Sequence, residues 1–134
     1  MIPSGNKILT ADLTVVTMPS KQHRMDLDRN RITGTCYNLE AIKQTIFKIL
    51  NTERYKYIIY SWNYGIELSD LFGQPFRYVC PEIERRVKES LLQDDRITEV
   101  DNFEFDEPKR GVVAVTFVAH TIFGDIDEEM VVNI

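Results

Sequence analysis

The last third of the chain contains three consecutive runs rich in β-branched and aromatic residues, and this pattern constrains the fold more than any other. The runs are RITEVDNFEF, RGVVAVTFVAHTIF and EEMVVNI. The residues between them, Glu107-Pro108-Lys109 and Gly124-Asp125, are typical of turns. Short connections of this kind join neighbouring antiparallel strands. The sequence therefore predicts a three-stranded antiparallel meander in residues 96–134.

Two stretches with apolar residues at three- and four-residue spacing predict two long helices. The first apolar stripe consists of Leu39, Ile42, Ile46, Ile49 and Leu50. The second consists of Ile83, Val87 and Leu91. Asn38 is expected to cap the first helix, and Pro81 is expected in the first turn of the second, since proline needs no N–H partner there. Both helices should pack against the sheet.

Between these helices, the run RYKYIIYSW at 54–62 is β-branched and aromatic and carries apolar residues at both alternating positions. It predicts a strand covered on both faces. In a strand, Tyr55 and Tyr57 would point to one face and Tyr60 and Trp62 to the other, so they could not form one base-stacking platform. We therefore expect these aromatic side chains to pack a rigid junction. The following IELSDLF predicts a turn or two of helix.

The first quarter of the chain gives the weakest pattern. Residues 1–10 are predicted to be an irregular arm, DLTVVTMP at 12–19 a short strand, and HRMDLDRNRITGTC a hairpin that turns at Asp28-Arg29-Asn30. The whole pattern predicts an α+β fold of one compact domain, with two main helices packed on a curved, mixed or antiparallel sheet that ends in the meander. Residues 1–37 are predicted to be an arm with short strands, and residues 38–134 the main α+β domain.

Charge and composition disfavour several classes of partner. Among 134 residues the net charge is −5, with +2 in residues 1–35 and −6 in residues 101–134, and no Lys/Arg cluster is present. Nucleic-acid binding is disfavoured, because basic clusters normally supply that affinity. No apolar run approaches the roughly twenty residues of a membrane span. With no export signal at the N-terminus, the chain is expected in the cytoplasm, with Cys36 and Cys80 reduced and buried.

No metal, cofactor or nucleophile motif stands out. His23 and His120 are far apart in sequence, and neither lies in a metal-ligand pattern. The acidic run DIDEE at 125–129 lacks the glycine and spacing of a calcium loop and is expected to be a solvated turn. Neither a glycine-rich phosphate loop nor a serine nucleophile elbow occurs. We therefore expect no cofactor.

The pair Glu53-Arg54 allows two interpretations. Glu53 follows a helix and precedes the predicted aromatic strand, where burial could raise the pKa of its carboxyl group toward a general-acid role. The adjacent guanidinium favours the ionised carboxylate, and a Glu-Arg pair at such a corner more often orders the corner or grips a partner. Tyrosine and tryptophan nearby are also common at protein interfaces.

From residue 38 onward, the order of elements resembles a known family. The matching segments are NLEAIKQTIFKILNTER, YGIELSDLFGQP, PEIERRVKESLLQDDRITEVDNFEF and the closing strands. They resemble the small wedge subunit of contractile-tail baseplates, once described as lysozyme-like, and more closely its version in Gram-positive prophages and phage-tail-like bacteriocins. That family carries a short Glu-Pro-Arg or Gly-Glu-Arg motif after its first long helix, and then a Phe-Gly. The counterparts here are Glu53, Arg54 and Tyr64-Gly65.

The resemblance implies a structural, non-enzymatic role. Such a subunit joins other wedge proteins and the first ring of the tail sheath within a six-fold symmetric assembly. It is built in the host cytoplasm and ends in the virion or tail-like particle. The expected partner-binding residues are Glu53, Arg54, Trp62, Tyr64 and Gly65. The older lysozyme-like description implies an alternative, a peptidoglycan-acting glycosidase with Glu53 as acid and Glu67 or Asp70 as second carboxylate.

Overall fold

Five strands and two main helices form the described part of the computed structural model, which covers residue 14 and residues 20–134. In chain order they are β1 (Lys21–Asp26), β2 (Arg31–Tyr37), α1 (Asn38–Leu50), a 3₁₀ helix (Ser69–Leu71), α2 (Phe76–Leu91), β3 (Ile97–Lys109), β4 (Val112–Thr121) and β5 (Gly124–Asn133). The strands form two antiparallel sheets, β1-β2 and β3-β4-β5. The expected α+β class and the terminal meander are confirmed.

The meander differs from the expectation in where its turns lie. Strand β3 continues through Glu107-Pro108-Lys109, so the first turn falls at Arg110-Gly111. The second turn falls at Ile122-Phe123, and the run DIDEE is the first half of β5 rather than a solvated turn. Alternation explains the second difference, because Ile126 is buried while its neighbours face outward, as a half-buried strand requires.

The core lies between the two helices and one face of the meander. Helix α1 contributes Ile42, Ile46 and Ile49, as its apolar stripe predicts. Helix α2 contributes Ile83, Val87 and Leu91. The inner face of β4 adds Val113, Val115, Phe117 and Ala119, all buried at alternating positions. The intervening residues of β4 point to the opposite, outer face of the meander.

The predicted helix starts need correction. Tyr37 occupies the N-cap position of α1 in extended conformation, and Asn38 is already the first helical residue. Helix α2 begins at Phe76, directly after Pro75, so Pro81 lies inside the helix rather than in its first turn. Pro75 is the N-cap residue and has an extended conformation. The helix therefore begins at Phe76, earlier in the chain than the predicted start near Pro81.

The hairpin predicted in residues 23–36 is present as β1 and β2, and it packs on α1. Gln44 joins the two, because its amide donates to the main-chain carbonyl of His23 at 2.7 Å while its Oε1 accepts from the N–H of Met25 at 2.9 Å. Cys36 is buried and Cys80 is half-buried, and both thiols are free. The irregular arm at 1–10 and the strand at 12–19 lie outside the described residues, apart from residue 14.

The strand predicted over residues 54–62 is wrong. The segment forms a series of turns, and only Glu53, before it, makes an isolated bridge, to Ile66. A strand covered on both faces needs two neighbours that cover it, and the apolar side chains here are largely exposed instead.

Candidate interaction site

Residues 55–64 form a loop. The segments on either side of it, residues 52–54 and 65–66, are hydrogen-bonded to each other and are called the stem. In the stem, the N–H of Ile66 donates to the carbonyl of Thr52 at 3.0 Å, and the N–H of Arg54 donates to the carbonyl of Ile66 at 3.1 Å. These bonds form the parallel bridge between Glu53 and Ile66. The end of α1 and the start of the IELSDLF segment are thereby held side by side.

Gly65 allows this close approach. Its φ is +91°, in the region that side chains rarely adopt, and an added Cβ would lie 2.5 Å from the carbonyl oxygen of Thr52. Main-chain atoms at that distance cannot move aside without breaking the stem. The resemblance pointed to Gly65 as a site residue, and the structure places it as the tightest point of the stem.

The carboxylate of Glu53 fixes the next element. Its Oε1 accepts from the N–H groups of Leu68 and Ser69, each at 3.1 Å, and its Oε2 lies 3.3 Å from the Leu68 nitrogen. These N–H groups begin the 3₁₀ helix, where a negative charge is favourable. Glu53 and Arg54 do not pair with each other, and each holds a different part of the corner.

Arg54 joins the stem to α2. Its Nε and Nη2 donate to the carbonyl of Gly65 at 3.3 and 3.2 Å, and its Nη1 donates to Glu89 of α2 at 3.0 Å. Only 11% of the Arg54 side chain is exposed, against 46% for Glu89. The guanidinium therefore acts mainly within the corner, as a planar clamp that lysine could not replace.

Sequence reasoning missed a second clamp, Arg86 on α2. It donates to the carbonyl of Glu67 at 2.8 Å and to Glu82 at 3.2 Å, and both of its Nη groups donate to the carboxylate of Asp70. Hydrogen bonding to Arg86 lowers the pKa of Asp70 below its usual value, and Asp70 in turn raises the pKa of Arg86. In the sequence, the only indication of these contacts of Arg86 is its four-residue spacing from Glu82, which is typical of an ion pair on a helix.

The loop itself presents apolar and aromatic side chains to the outside. Ile58 is fully exposed, and Ile59 and Trp62 are each 82% exposed. Tyr55 and Tyr57 are exposed as well, at 64% and 48%, so the expectation that the aromatic side chains of this run pack a rigid junction is wrong. Part of the loop is ordered by its own contacts, since Tyr60 stacks on Tyr64 at 4.5 Å and Tyr55 meets Trp62 edge-on at 6.2 Å. Tyr64 lies at the base, where burial raises the pKa of its hydroxyl.

Two of the three carboxylates considered for glycosidase chemistry, those of Glu53 and Asp70, are engaged in structural hydrogen bonds. Glu53 accepts main-chain N–H groups, and Asp70 is held ionised by Arg86. Glu67 contributes its main-chain carbonyl to Arg86. A retaining or inverting glycosidase needs one carboxyl group that keeps its proton at working pH. Nothing in this arrangement favours that role for Glu53, Glu67 or Asp70.

Residue 14 and residues 20–134 contain neither a metal-site cluster nor a membrane-spanning helix. No group of three or more His, Cys, Asp or Glu side chains there is placed to hold a metal ion. None of the helices in that part combines the length and apolar character needed to cross a bilayer. The features that stand out in the described residues are the exposed apolar loop and its hydrogen-bonded stem, and exposed apolar patches of this kind are typical of surfaces that contact other proteins.

Comparison with known proteins agrees with this class. The chain matches the family of contractile injection system sheath initiators over residues 15–124, and it belongs to that family. It is also 38% identical over 118 residues to the phage-like element PBSX protein XkdS of Bacillus subtilis (strain 168), a match that covers 85% of this chain and 83% of that protein. The chain is thus a component of a phage-tail-related contractile system.

Proposed function

We propose that the chain is a non-enzymatic baseplate subunit that sits at the wedge of a contractile particle, joins neighbouring wedge proteins and starts the sheath. Family membership supports the sheath-initiating part of this role. The relative from a phage-like element supports a prophage or tail-like particle as its setting. Assembly takes place in the host cytoplasm, and the subunit then remains in the particle, in six copies around its axis.

One observation supports the loop of residues 55–64 as the surface that contacts the neighbouring wedge proteins. The loop of residues 55–64 exposes Ile58, Ile59 and Trp62, yet its stem is locked by Glu53, Arg54 and Gly65. Exposed apolar side chains on a rigid support lose little entropy when a partner covers them, which favours binding. In this proposal the loop contacts the partner, and Glu53, Arg54 and Gly65 position it. Tyr64 and Trp62 supply aromatic area at the base and on the exposed part of the loop.

The sheath contact uses the meander. A three-stranded sheet with two edges offers unpaired main-chain groups, and an extended arm of another protein can add to such an edge as a further strand. Main-chain hydrogen bonds then supply the affinity, and side chains along the edge supply the selectivity. Loop and meander belong to different parts of the fold, so one subunit can hold wedge and sheath together.

The wedge contact can be tested by co-expression with the proteins encoded beside this chain. Size-exclusion chromatography with light scattering would measure the complex for the wild type and for Ile59→Ser/Trp62→Ser. We expect the loop variant to unfold at the wild-type temperature but to lose the complex. Tyr78→Ser removes a half-exposed aromatic ring from α2 and should leave the complex intact.

A loop variant that assembles as well as the wild type would exclude the loop as the wedge contact. The variant Glu53→Ala/Arg54→Ala tests whether these two residues position the loop, as distinct from contacting the partner themselves. That variant keeps every exposed loop side chain, and we expect weaker assembly because the stem loosens. Cell-wall hydrolysis by the purified wild-type chain would contradict the non-enzymatic role.

A further inference from the structure

The aromatic rings of the loop of residues 55–64 enclose a cup. The cup has a volume of about 230 Å³, and the rings of Tyr55, Tyr57, Tyr60 and Trp62 line it. Tyr55 meets Trp62 edge-on, with 6.2 Å between the ring centroids, and Tyr57 meets Tyr60 in the same way at 6.2 Å. Edge-on contacts between aromatic rings are favourable. The two pairs therefore support the walls of the cup without a partner.

The backbone of Tyr55 adopts an unfavourable conformation. Its φ is +67°, and the other non-glycine residues with positive φ in the described part of the chain are all asparagine, which tolerates that region. Burial does not compensate, because Tyr55 is largely exposed. Strained residues of this kind cluster at functional sites. The strain here places the Tyr55 ring against Trp62 at the wall of the cup.

The exposed charge beside the cup is positive. Residues 54–66 include no aspartate or glutamate, although the chain contains 21 acidic residues. Arg54 donates to the carbonyl of Gly65 within the stem. Lys56 is exposed, and its Nζ lies 5.6 Å from the centroid of the Tyr57 ring, where the ring face attracts an ammonium group. Lys56 therefore presents its charge at the edge of the cup.

The uncharged polar groups of the cup add hydrogen-bond donors. The tyrosine hydroxyl groups and that of Ser61 can donate, and the indole N–H of Trp62 can only donate. A carboxylate complements this set, because it accepts from several donors and has the charge opposite to that of Lys56. A second copy of the loop is a poor partner, since it would bring two Lys56 side chains together.

We propose that the cup is the recognition site for an acidic segment of the wedge partner. An apolar side chain of that segment lies between the aromatic rings, and a neighbouring aspartate or glutamate binds Lys56. The apolar contact removes exposed ring surface from water, and the ion pair selects the partner. Tyr55 is a positioning residue, because its ring orients Trp62. The inference rests on the proposed wedge contact and names the chemistry of the partner there.

Lys56 and Lys21 provide matched variants. Lys21 on β1 is also exposed, with its Nζ 5.8 Å from the centroid of the Tyr37 ring. Binding of the neighbouring wedge protein would be measured by titration calorimetry for Lys56→Glu and Lys21→Glu. We expect Lys56→Glu to weaken binding about tenfold or more and Lys21→Glu to change it less than about twofold. Equal losses, or tighter binding by Lys56→Glu, would overturn the choice of an acidic partner.

Tyr55→Gly tests the strained position. Glycine adopts a positive φ readily, so the unfolding temperature of this variant should equal or exceed that of the wild type. Its affinity for the wedge protein should nevertheless fall severalfold, because Trp62 loses its edge-on neighbour. A lower unfolding temperature, or wild-type affinity, would contradict the positioning role of Tyr55.

A direct probe separates this inference from the proposed function. Trp62 is the single tryptophan of the sequence, so its fluorescence reports on the cup. A short synthetic peptide that alternates aspartate and leucine should shift the Trp62 emission to shorter wavelength, and its lysine counterpart should not. If the acidic peptide shifts the emission but no wedge protein binds, the cup stands and the wedge role falls. If wedge proteins bind but the acidic peptide has no effect, or the lysine peptide acts instead, the inference is wrong.

Discussion

At the scale of single residues, the position of the exposed loop depends on groups that lie outside it. Glu53 holds the start of the 3₁₀ helix, Arg54 joins the stem to α2, and Arg86 joins α2 to Asp70. Each contact links residues at least 15 positions apart in sequence. The resemblance pointed to Glu53, Arg54 and Gly65, but their contacts join segments that are distant in sequence, and no local pattern encodes such contacts.

Gly65→Ala should destabilise the protein by about 3 kcal/mol, because the new Cβ would both clash with the Thr52 carbonyl and occupy an unfavourable φ. Gly73→Ala is the matched control. Its φ is also positive, at +81°, but no atom lies within 4 Å of the added Cβ, so only the conformational cost of about 1 kcal/mol applies. Urea unfolding of both variants would measure the difference, and equal losses would contradict the clash.

Arg86→Lys should lower the free energy of unfolding by about 2 kcal/mol. Lysine keeps the charge but cannot bond Asp70 with two groups while also reaching the carbonyl of Glu67. Arg85→Lys changes the same side chain one position earlier on α2, where 58% of the arginine side chain is exposed. That control should stay within about 0.5 kcal/mol of the wild type. Denaturant unfolding of the two variants side by side gives the test.

At the scale of elements, the sequence predicted the helices and strands whose residue pattern is compatible with only one type of secondary structure. The alternation and turns of residues 96–134 allow little besides a meander, and the apolar stripes of α1 and α2 place Ile46 and Ile83 in the core. The run 54–62 has the composition of a buried strand, and only the absence of a covering neighbour distinguishes it from an exposed apolar loop. That information lies in the tertiary structure rather than in the run itself.

The end of the meander contains a pH-sensitive contact between its three strands. His120 of β4 lies between Asp125 of β5, at 2.7 Å from Nδ1, and Asp101 of β3, at 2.8 Å from Nε2. Hydrogen bonds to Asp125 and then Asp101 raise the pKa of His120 above its usual value of 6.5. The added stability is therefore fully present below about pH 6.5 and is lost as the pH rises through the raised pKa.

His120→Gln should accordingly destabilise the protein more at pH 6 than at pH 9. Urea midpoints of the wild type and the variant at the two pH values would show this as a gap that narrows at the higher pH. His23→Gln on β1 controls for the loss of an imidazole elsewhere. A gap independent of pH would mean that His120 contributes by packing rather than by its charge.

At the scale of the whole molecule, the core and the exposed apolar loop use different parts of the described chain. None of the fully buried side chains comes from residues 55–64, although among the described residues that loop holds the most exposed apolar ones. The acidic outer face of β5 likewise lies outside the core. Surfaces that do not contribute to the core can be adapted to partners without loss of the fold.

Replacing residues 56–63 by a short Gly/Ser linker should therefore change the free energy of unfolding by only about 1 kcal/mol. Arg54 and Gly65 stay in place and keep the stem closed. The shortened protein should be more soluble than the wild type, because Ile58 and Ile59 are gone. Thermal unfolding and a solubility assay would test both statements, and loss of the folded state would show that the loop is part of the core after all.

The unequal edges of the meander give the subunit a polarity. Strand β5 pairs with β4 without a shift in register, whereas β3 pairs with β4 through three register shifts and contains Pro108. The two sides of the sheet are therefore not interchangeable. If the proposed sheath contact forms at this sheet, that difference favours one orientation of the subunit relative to the strand that joins it.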